Sequence, residues 1–197
     1  TRRRFAPMPA AEAGAATRRD RRTRLRDIIR DHSLLQGGDF VLSSGRRSAL
    51  FFDMKMTMLD PEGSALIAEA VLDLIEGEEA EFIGGIELGA VPIVAAVCAE
   101  SARRRPIRGF IVRKRKKGHG TDQLIDGHIR EGARVIVVED VTTTGASVMQ
   151  AVEAARAMGC QVSKAITIVD RLEGAAENLA KEGVELKSVF TRHDFID

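Results

Sequence analysis

Tryptophan and tyrosine are absent from this 197-residue chain, and eight phenylalanines supply all of its 4% aromatic content. Cysteine is almost as scarce. Cys98 and Cys160 lie far apart, each in an apolar, helix-like pattern, and read as small buried hydrophobes in a reducing compartment, not as a disulfide or metal pair. No apolar run approaches the ~20 residues of a membrane span, and no apolar h-region marks a secretory signal. Neither sign of charge dominates: 30 Lys and Arg face 29 Asp and Glu, for a net charge of +1. That balance argues against a generic nucleic-acid binder. The expectation is a cytoplasmic protein with neither membrane nor nucleic acid as partner.

What is present suits one medium α/β domain. Apolar residues make up 44% of the chain, enough for a two-sided core. Charge is unevenly spread, with Arg2, Arg3, Arg4, Arg18, Arg19, Arg21, Arg22 and Arg24 crowding the start. Residues 1–19 show no sustained period and are expected to form a disordered basic extension. The extension lacks a helix-turn-helix pattern and stacking aromatics. Residues 20–60 are expected to hold a helix, with Leu25, Ile28, Ile29, Leu34 and Leu35 on one side, and then two short strands, Phe40–Leu42 and Leu50–Met54, around the turn Ser43-Ser44-Gly45.

From residue 61 to 197 the pattern alternates regularly. Asp60-Pro61-Glu62 opens a helix ending near Ile75, in the acid-plus-proline manner of an N-terminus. Strands follow at Glu81–Gly85, Ile107–Arg113, Val135–Glu139, Val162–Val169 and Val184–Phe190. Helices lie between them at Val91–Arg103, Ala146–Met158 and Ala175–Lys181. Strands apolar throughout and separated by helices predict a parallel sheet buried on both faces. The stretch from Lys114 to Arg134 breaks this rhythm. It is long, polar and glycine-bearing, and its 114–130 part is expected to be a mobile lid or binding loop.

One segment carries a distinct chemistry: Val135-Ile-Val-Val-Glu139-Asp140-Val141-Thr142-Thr143-Thr144-Gly145-Ala146-Ser147. A buried strand ends in two carboxylates, and a hydroxyl-rich turn with a glycine leads into a helix. In an open parallel sheet, ligands bind at the carboxyl ends of strands, where helix N-termini offer free N–H groups to an anion. Thr142, Thr143, Thr144 and Ser147 add hydroxyl donors. No lysine precedes the helix and no GxGxxG follows a strand, so the loop suits a sugar phosphate better than a triphosphate or dinucleotide. Glu139 and Asp140 would repel a lone phosphate, but they suit the 2′- and 3′-hydroxyls of a ribose that carries one. A Thr-rich helix cap beside incidental acids is the bland alternative.

The segment resembles the PRPP-binding signature of the type I phosphoribosyltransferases. The resemblance implies their fold: a central parallel sheet flanked by helices, with a small N-terminal hood. It also implies that Glu139 and Asp140 meet the ribose hydroxyls while Val141–Ser147 hold the 5-phosphate. Four further segments, with the signature, resemble the orotate phosphoribosyltransferases from about residue 24 to 191. Phe40–Ser48 with Phe51-Phe52-Asp53 is similar to the family's hood, whose Ser44-Gly45-Arg46 turn and Phe51 and Phe52 would contact orotate. Many members carry Lys where Ser43 stands. Gly84–Pro92 is similar to the pyrophosphate loop, at Glu87, Leu88 and Gly89, without the lysine some members place there. Arg113–Gly120 resembles the catalytic mobile loop, with Arg113 and Lys114 at its base and Lys117 and His119 on its moving part. In the family this loop reaches into the neighbouring subunit of a homodimer. Val169–Gly174 resembles the segment whose arginine, here Arg171, contacts orotate; Thr143 would join it. A guanidinium suits bidentate recognition of the carboxylate that distinguishes orotate from uracil. A surface Asp170–Arg171 pair is the plainer alternative.

The resemblance implies transfer of ribose 5-phosphate from PRPP to N1 of orotate, with Mg²⁺ carried through PRPP and no dedicated protein ligands. Two alternatives remain at this level: a purine or uracil phosphoribosyltransferase, and a PRPP-sensing regulator without turnover.

Overall fold

The computed structural model describes residues 17–41, 47–114 and 124–196. The first helix, α1 (Arg18–Ile28), starts two residues before the expected Asp20 because Thr17 builds a capping box. The Thr17 hydroxyl accepts from the Asp20 N–H at 3.1 Å, while the Thr17 N–H donates to the Asp20 carboxylate at 3.2 Å. Part of the expected basic extension is therefore helix. Four arginines of the cluster are paired: Arg18 with Asp73 and Glu76, Arg21 with Glu69 and Asp73, Arg22 with Asp194, and Arg24 with Glu62. Arg22 also lies over the Phe190 ring at 4.6 Å, pinning α1 to the last strand. Residues 1–16 lie outside the described residues.

Leu34 and Leu35 do not continue this helix. The chain widens through a π turn (Ile29–Ser33) and enters strand β1 (Leu34–Val41), which pairs antiparallel with β2 (Arg47–Phe52). Leu34 faces Phe52 across the pair, so a leucine period that continues the helix by count belongs to a strand by partner. Gly37, at φ +75°, sits where the register shifts between Gln36 and Phe40, and it allows the bulge. The Ser33 hydroxyl shares a 2.6 Å hydrogen bond with Thr57, and the Asp53 N–H donates to the Ser33 carbonyl at 2.8 Å. Helix α2 (Lys55–Met58) follows. The hairpin tip, residues 42–46, lies outside the described residues, and with it Ser43, Ser44, Gly45 and Arg46.

The rest is a layered α/β unit. Asp60 caps α3 (Pro61–Leu74) by accepting from the Gly63 N–H at 2.8 Å, with Pro61 at the first turn as expected. Then come β3 (Phe82–Ile86), α4 (Ala90–Ser101), β4 (Arg108–Val112), β5 (Ile125–Gly127), β6 (Arg134–Thr142), α5 (Ala146–Ala157), β7 (Gln161–Asp170), α6 (Ala175–Lys181) and β8 (Glu185–Thr191). Among the described residues the sheet runs β5-β4-β3-β6-β7-β8, all parallel except β5. Strand β6 shows why continuous apolar runs were needed. Ile136 and Val138 join α3 and α4 in one core, while Val135 and Val137 join α5 and α6 in the other.

β5 is the element the alternation did not reveal. Three residues are too few to show a period, yet Ile125 is buried and pairs with Val112, and the Arg113 N–H donates to the Leu124 carbonyl at 2.8 Å. The expected 114–130 loop is thus shorter at its far end, where residues 124–127 return along β4. No helix among the described residues is long and apolar enough to cross a membrane. Cys160 is buried and Cys98 partly so, and both are free thiols. Burial pushes both thiols above their ordinary pKa.

Candidate active site

Because β3, β4, β6 and β7 are parallel, they deliver Glu87–Gly89, Arg113–Lys114, Glu139–Thr142 and Asp170–Arg171 to one edge of the sheet. The expected phosphate loop lies at its centre. Gly145, at φ +84°, turns the chain into α5, and no side chain caps that helix. The first-turn N–H groups are left for an anion. A cavity of about 190 Å³ opens there, lined by Glu139, Val141 and residues 142–147, with Thr143, Thr144, Ala146 and Ser147 among them. Thr142 has a second partner besides the cavity it lines. As the last residue of β6 it faces Asp170 of β7, and its 2%-exposed side chain donates to the Asp170 carboxylate at 3.3 Å. Its hydroxyl ties two strand ends together at the wall of the cavity that Thr142 helps to line.

The two carboxylates differ sharply. Glu139 is 6% exposed, and its Oε2 has no hydrogen-bond partner among the described residues. Asp140 is half-buried and accepts from the Val141 N–H at 2.8 Å. Burial first, and then the neighbouring Asp140, raise the Glu139 pKa well above the ordinary carboxylate value; the charge of Lys114 pulls the other way. Gly89 presses its backbone against both acids. A Cβ there would stand 2.6 Å from Glu139 Oε1 and 2.7 Å from Asp140 Oδ1. Glu87 is tied to the base of the 113–114 segment by accepting from the Lys114 N–H at 3.0 Å, and the Leu88 side chain stands exposed. The Glu87–Leu88 peptide is cis.

Arg113 is brought to this edge, but its Nε donates to Asp126 on β5 at 2.6 Å. Lys117 and His119 lie outside the described residues. Lys55 is a cation the sequence reading missed. It pairs with Asp53 at 2.8 Å, and that carboxylate, with Asp140 adding to it, raises the lysine pKa.

Arg171 is not half of a surface pair with Asp170. It is 6% exposed and reaches back under the hairpin: Nε donates to Glu173 at 2.8 Å, Nη1 to the Leu50 carbonyl at 2.9 Å, and Nη2 to the Ser48 hydroxyl at 2.9 Å. A cavity of about 310 Å³ lies here, lined in part by Ser48, Leu50, Phe52, Arg171 and Glu173. Phe51 and Phe52 part company. The Phe51 ring stacks on Phe40 at 5.6 Å, while Phe52 lines the cavity with its ring edge-on to Phe195 at 5.3 Å. Strand alternation sends them to opposite faces, so the two rings do not act as a pair. Ser48 and Glu173 were not assigned from sequence. Glu173, two residues from Arg171, was the one visible hint.

A phosphoribosyl transferase domain model matches residues 58–194. The orotate phosphoribosyltransferase of Rhodopseudomonas palustris (strain BisB5) is 44% identical over 181 residues, covering 89% of this chain and 96% of that protein. That of the archaeon Methanocaldococcus jannaschii is 41% identical, covering 87% and 95%. The Mycobacterium tuberculosis H37Rv orotate phosphoribosyltransferase, solved in complex with PRPP, superposes with a TM-score of 0.74 at 36% identity, covering 89% of this chain and 98% of that one. The chain belongs to the phosphoribosyltransferases and, among them, to the orotate phosphoribosyltransferase family.

Proposed function

We propose that the chain transfers ribose 5-phosphate from PRPP to N1 of orotate, giving orotidine 5′-monophosphate and pyrophosphate, a pentosyltransferase step of pyrimidine biosynthesis. The observation that carries this reading is the uncapped N-terminus of α5 beside a buried carboxylate with an unpartnered oxygen. Together they match a phosphate joined to a diol. The first-turn N–H groups with Thr143, Thr144 and Ser147 would hold the 5-phosphate, and Glu139 and Asp140 the ribose hydroxyls. Backbone N–H groups of residues 87–89 would meet the pyrophosphate.

The reaction asks the protein mainly to position and to shield. As the C1–O bond loosens, positive charge grows on the ribose and negative charge on pyrophosphate. Lys114 and Arg113, joined by Lys117 and His119, would neutralise the leaving group. Arg113 would first exchange its Asp126 partner for substrate. Closure of the 114–123 loop would keep out water that otherwise hydrolyses PRPP. No group of three or more His, Cys, Asp or Glu able to hold a metal stands together among the described residues. Glu139 and Asp140 would face the ribose oxygens, and Mg²⁺ would arrive on PRPP. Mg²⁺ would supply charge neutralisation at the pyrophosphate oxygens. The acceptor would lie in the cavity beneath the β1–β2 hairpin, near Arg171 and Phe52, with Thr143 toward the ribose; Phe51, expected to join them, stacks on Phe40 and is not part of the cavity wall. A homodimer sharing the 114–123 loop between subunits, in the cytoplasm, completes the reading.

Purified protein given PRPP, Mg²⁺ and orotate should bleach the ultraviolet band of orotate and release pyrophosphate in equal amounts. Consumption of hypoxanthine, guanine or uracil with orotate untouched would overturn the acceptor assignment.

A further inference from the structure

The cavity beneath the hairpin holds a second guanidinium that the family signature does not account for. Strands β7 and β8 run parallel with Asp170 opposite Thr191, so Arg171 and Arg192 leave adjacent strands at the same level. Both line the same cavity of about 310 Å³, together with Arg47 and Glu173. Their states differ. Arg47 pairs with Asp39, and Arg171 is held on three sides by Glu173, Leu50 and Ser48. The Arg192 Nε is buried and has no hydrogen-bond partner among the described residues. A buried, unpaired N–H on a charged group is costly and calls for an acceptor. Three arginines and one carboxylate around a single cavity leave it an excess of positive charge. The surplus is on Arg192, since the other two cations already have acids.

We infer that Arg192 is a specificity-determining residue of the acceptor pocket, donating to the orotate carboxylate while Arg171 anchors the hairpin and presents its remaining N–H groups. This rests on reading the cavity as the acceptor pocket. It also divides the labour between the guanidiniums: Arg171 is oriented by the protein, and Arg192 is completed by the ligand. A planar carboxylate offers two oxygens and can satisfy donors from both.

The test compares two products that differ only in the carboxylate, orotidine 5′-monophosphate and uridine 5′-monophosphate. Their dissociation constants are measured on the wild-type chain and on Arg192→Gln, Arg192→Lys and Arg171→Gln, with the KM values for orotate and PRPP alongside. Arg192→Gln should weaken orotidine 5′-monophosphate at least ~10-fold, the usual scale for losing a charge-assisted hydrogen bond. It should raise the orotate KM in parallel and leave uridine 5′-monophosphate binding and the PRPP KM unchanged. Arg192→Lys should recover part of the loss. Because both ligands are read on one variant, a general structural effect weakens them together and overturns the inference. If Arg171→Gln changes the ratio of the two affinities and Arg192→Gln does not, the acceptor pocket stands and the role of Arg192 is refuted. If neither changes it, the cavity is not the acceptor pocket.

Discussion

The two halves of the proposed site, one for phosphate and one for the acceptor, are built differently. The phosphate half runs continuously from Glu139 to Ser147, and its donors are backbone N–H groups at the start of α5. The acceptor half is assembled from β2, the end of β7 and the residue after β8, and its donors are side chains. A backbone-built site tolerates side-chain variation but not intrusion. A side-chain-built site tolerates small backbone shifts but depends on each partner that orients it. Changes in the first half should therefore act on PRPP, and changes in the second on orotate.

The largest effect should come from Gly89→Ala. Its Cβ would fall within 2.7 Å of both acid side chains, and moving them would displace the groups proposed to face the ribose. A loss of ~100-fold in kcat/KM is expected, the scale that a 1 Å misplacement produces. Steady-state kinetics with varied PRPP would check it; a change confined to orotate would break the division between the halves. Arg171→Lys comes next. One ammonium cannot serve Glu173, Leu50 and Ser48 together, so the orotate KM should rise ~10-fold or more with the PRPP KM nearly constant.

Glu139→Gln should weaken PRPP about tenfold by removing a carboxyl acceptor for the ribose hydroxyls, yet stabilise the unliganded protein. The sign follows from linkage. The folded state keeps a Glu139 proton that the unfolded chain releases near its ordinary pKa of 4.5. Between that value and the raised folded one, stability falls as pH rises. The variant lacks this loss, so its thermal midpoint should exceed that of the wild type increasingly from acid to neutral pH. A gap that does not change with pH would refute the buried, proton-holding state of Glu139. Ser48→Ala, which removes one of three bonds to Arg171, should be the mildest. About 1 kcal/mol, roughly fivefold, is expected on the orotate KM. An equal effect on PRPP would show the two halves to be coupled.

Legibility followed the same division. The strand, acids, loop and helix from Val135 to Ser147 stood in the sequence in contact order, and so did the alternation that builds the two cores. Two elements were obscured. Leu34 and Leu35 continued the helical count although Phe52 and Phe51 pair with them across a strand, and β5 was too short to show a period. Thr142 looked like its neighbours Thr143 and Thr144, and only the strand pairing gave its hydroxyl a partner in Asp170.

By itself the sequence determined the class of ligand, because a phosphate at a helix N-terminus is recognised by groups a few residues apart. The tertiary structure alone decided what surrounds the proposed acceptor pocket. Arg171 finds Leu50 and Ser48 across 121 and 123 residues, and Arg192 comes beside it only because β7 and β8 pair in that register. Backbone donors are placed by local dihedral angles, which local residues set. Side-chain partners are placed by packing, which the whole chain sets.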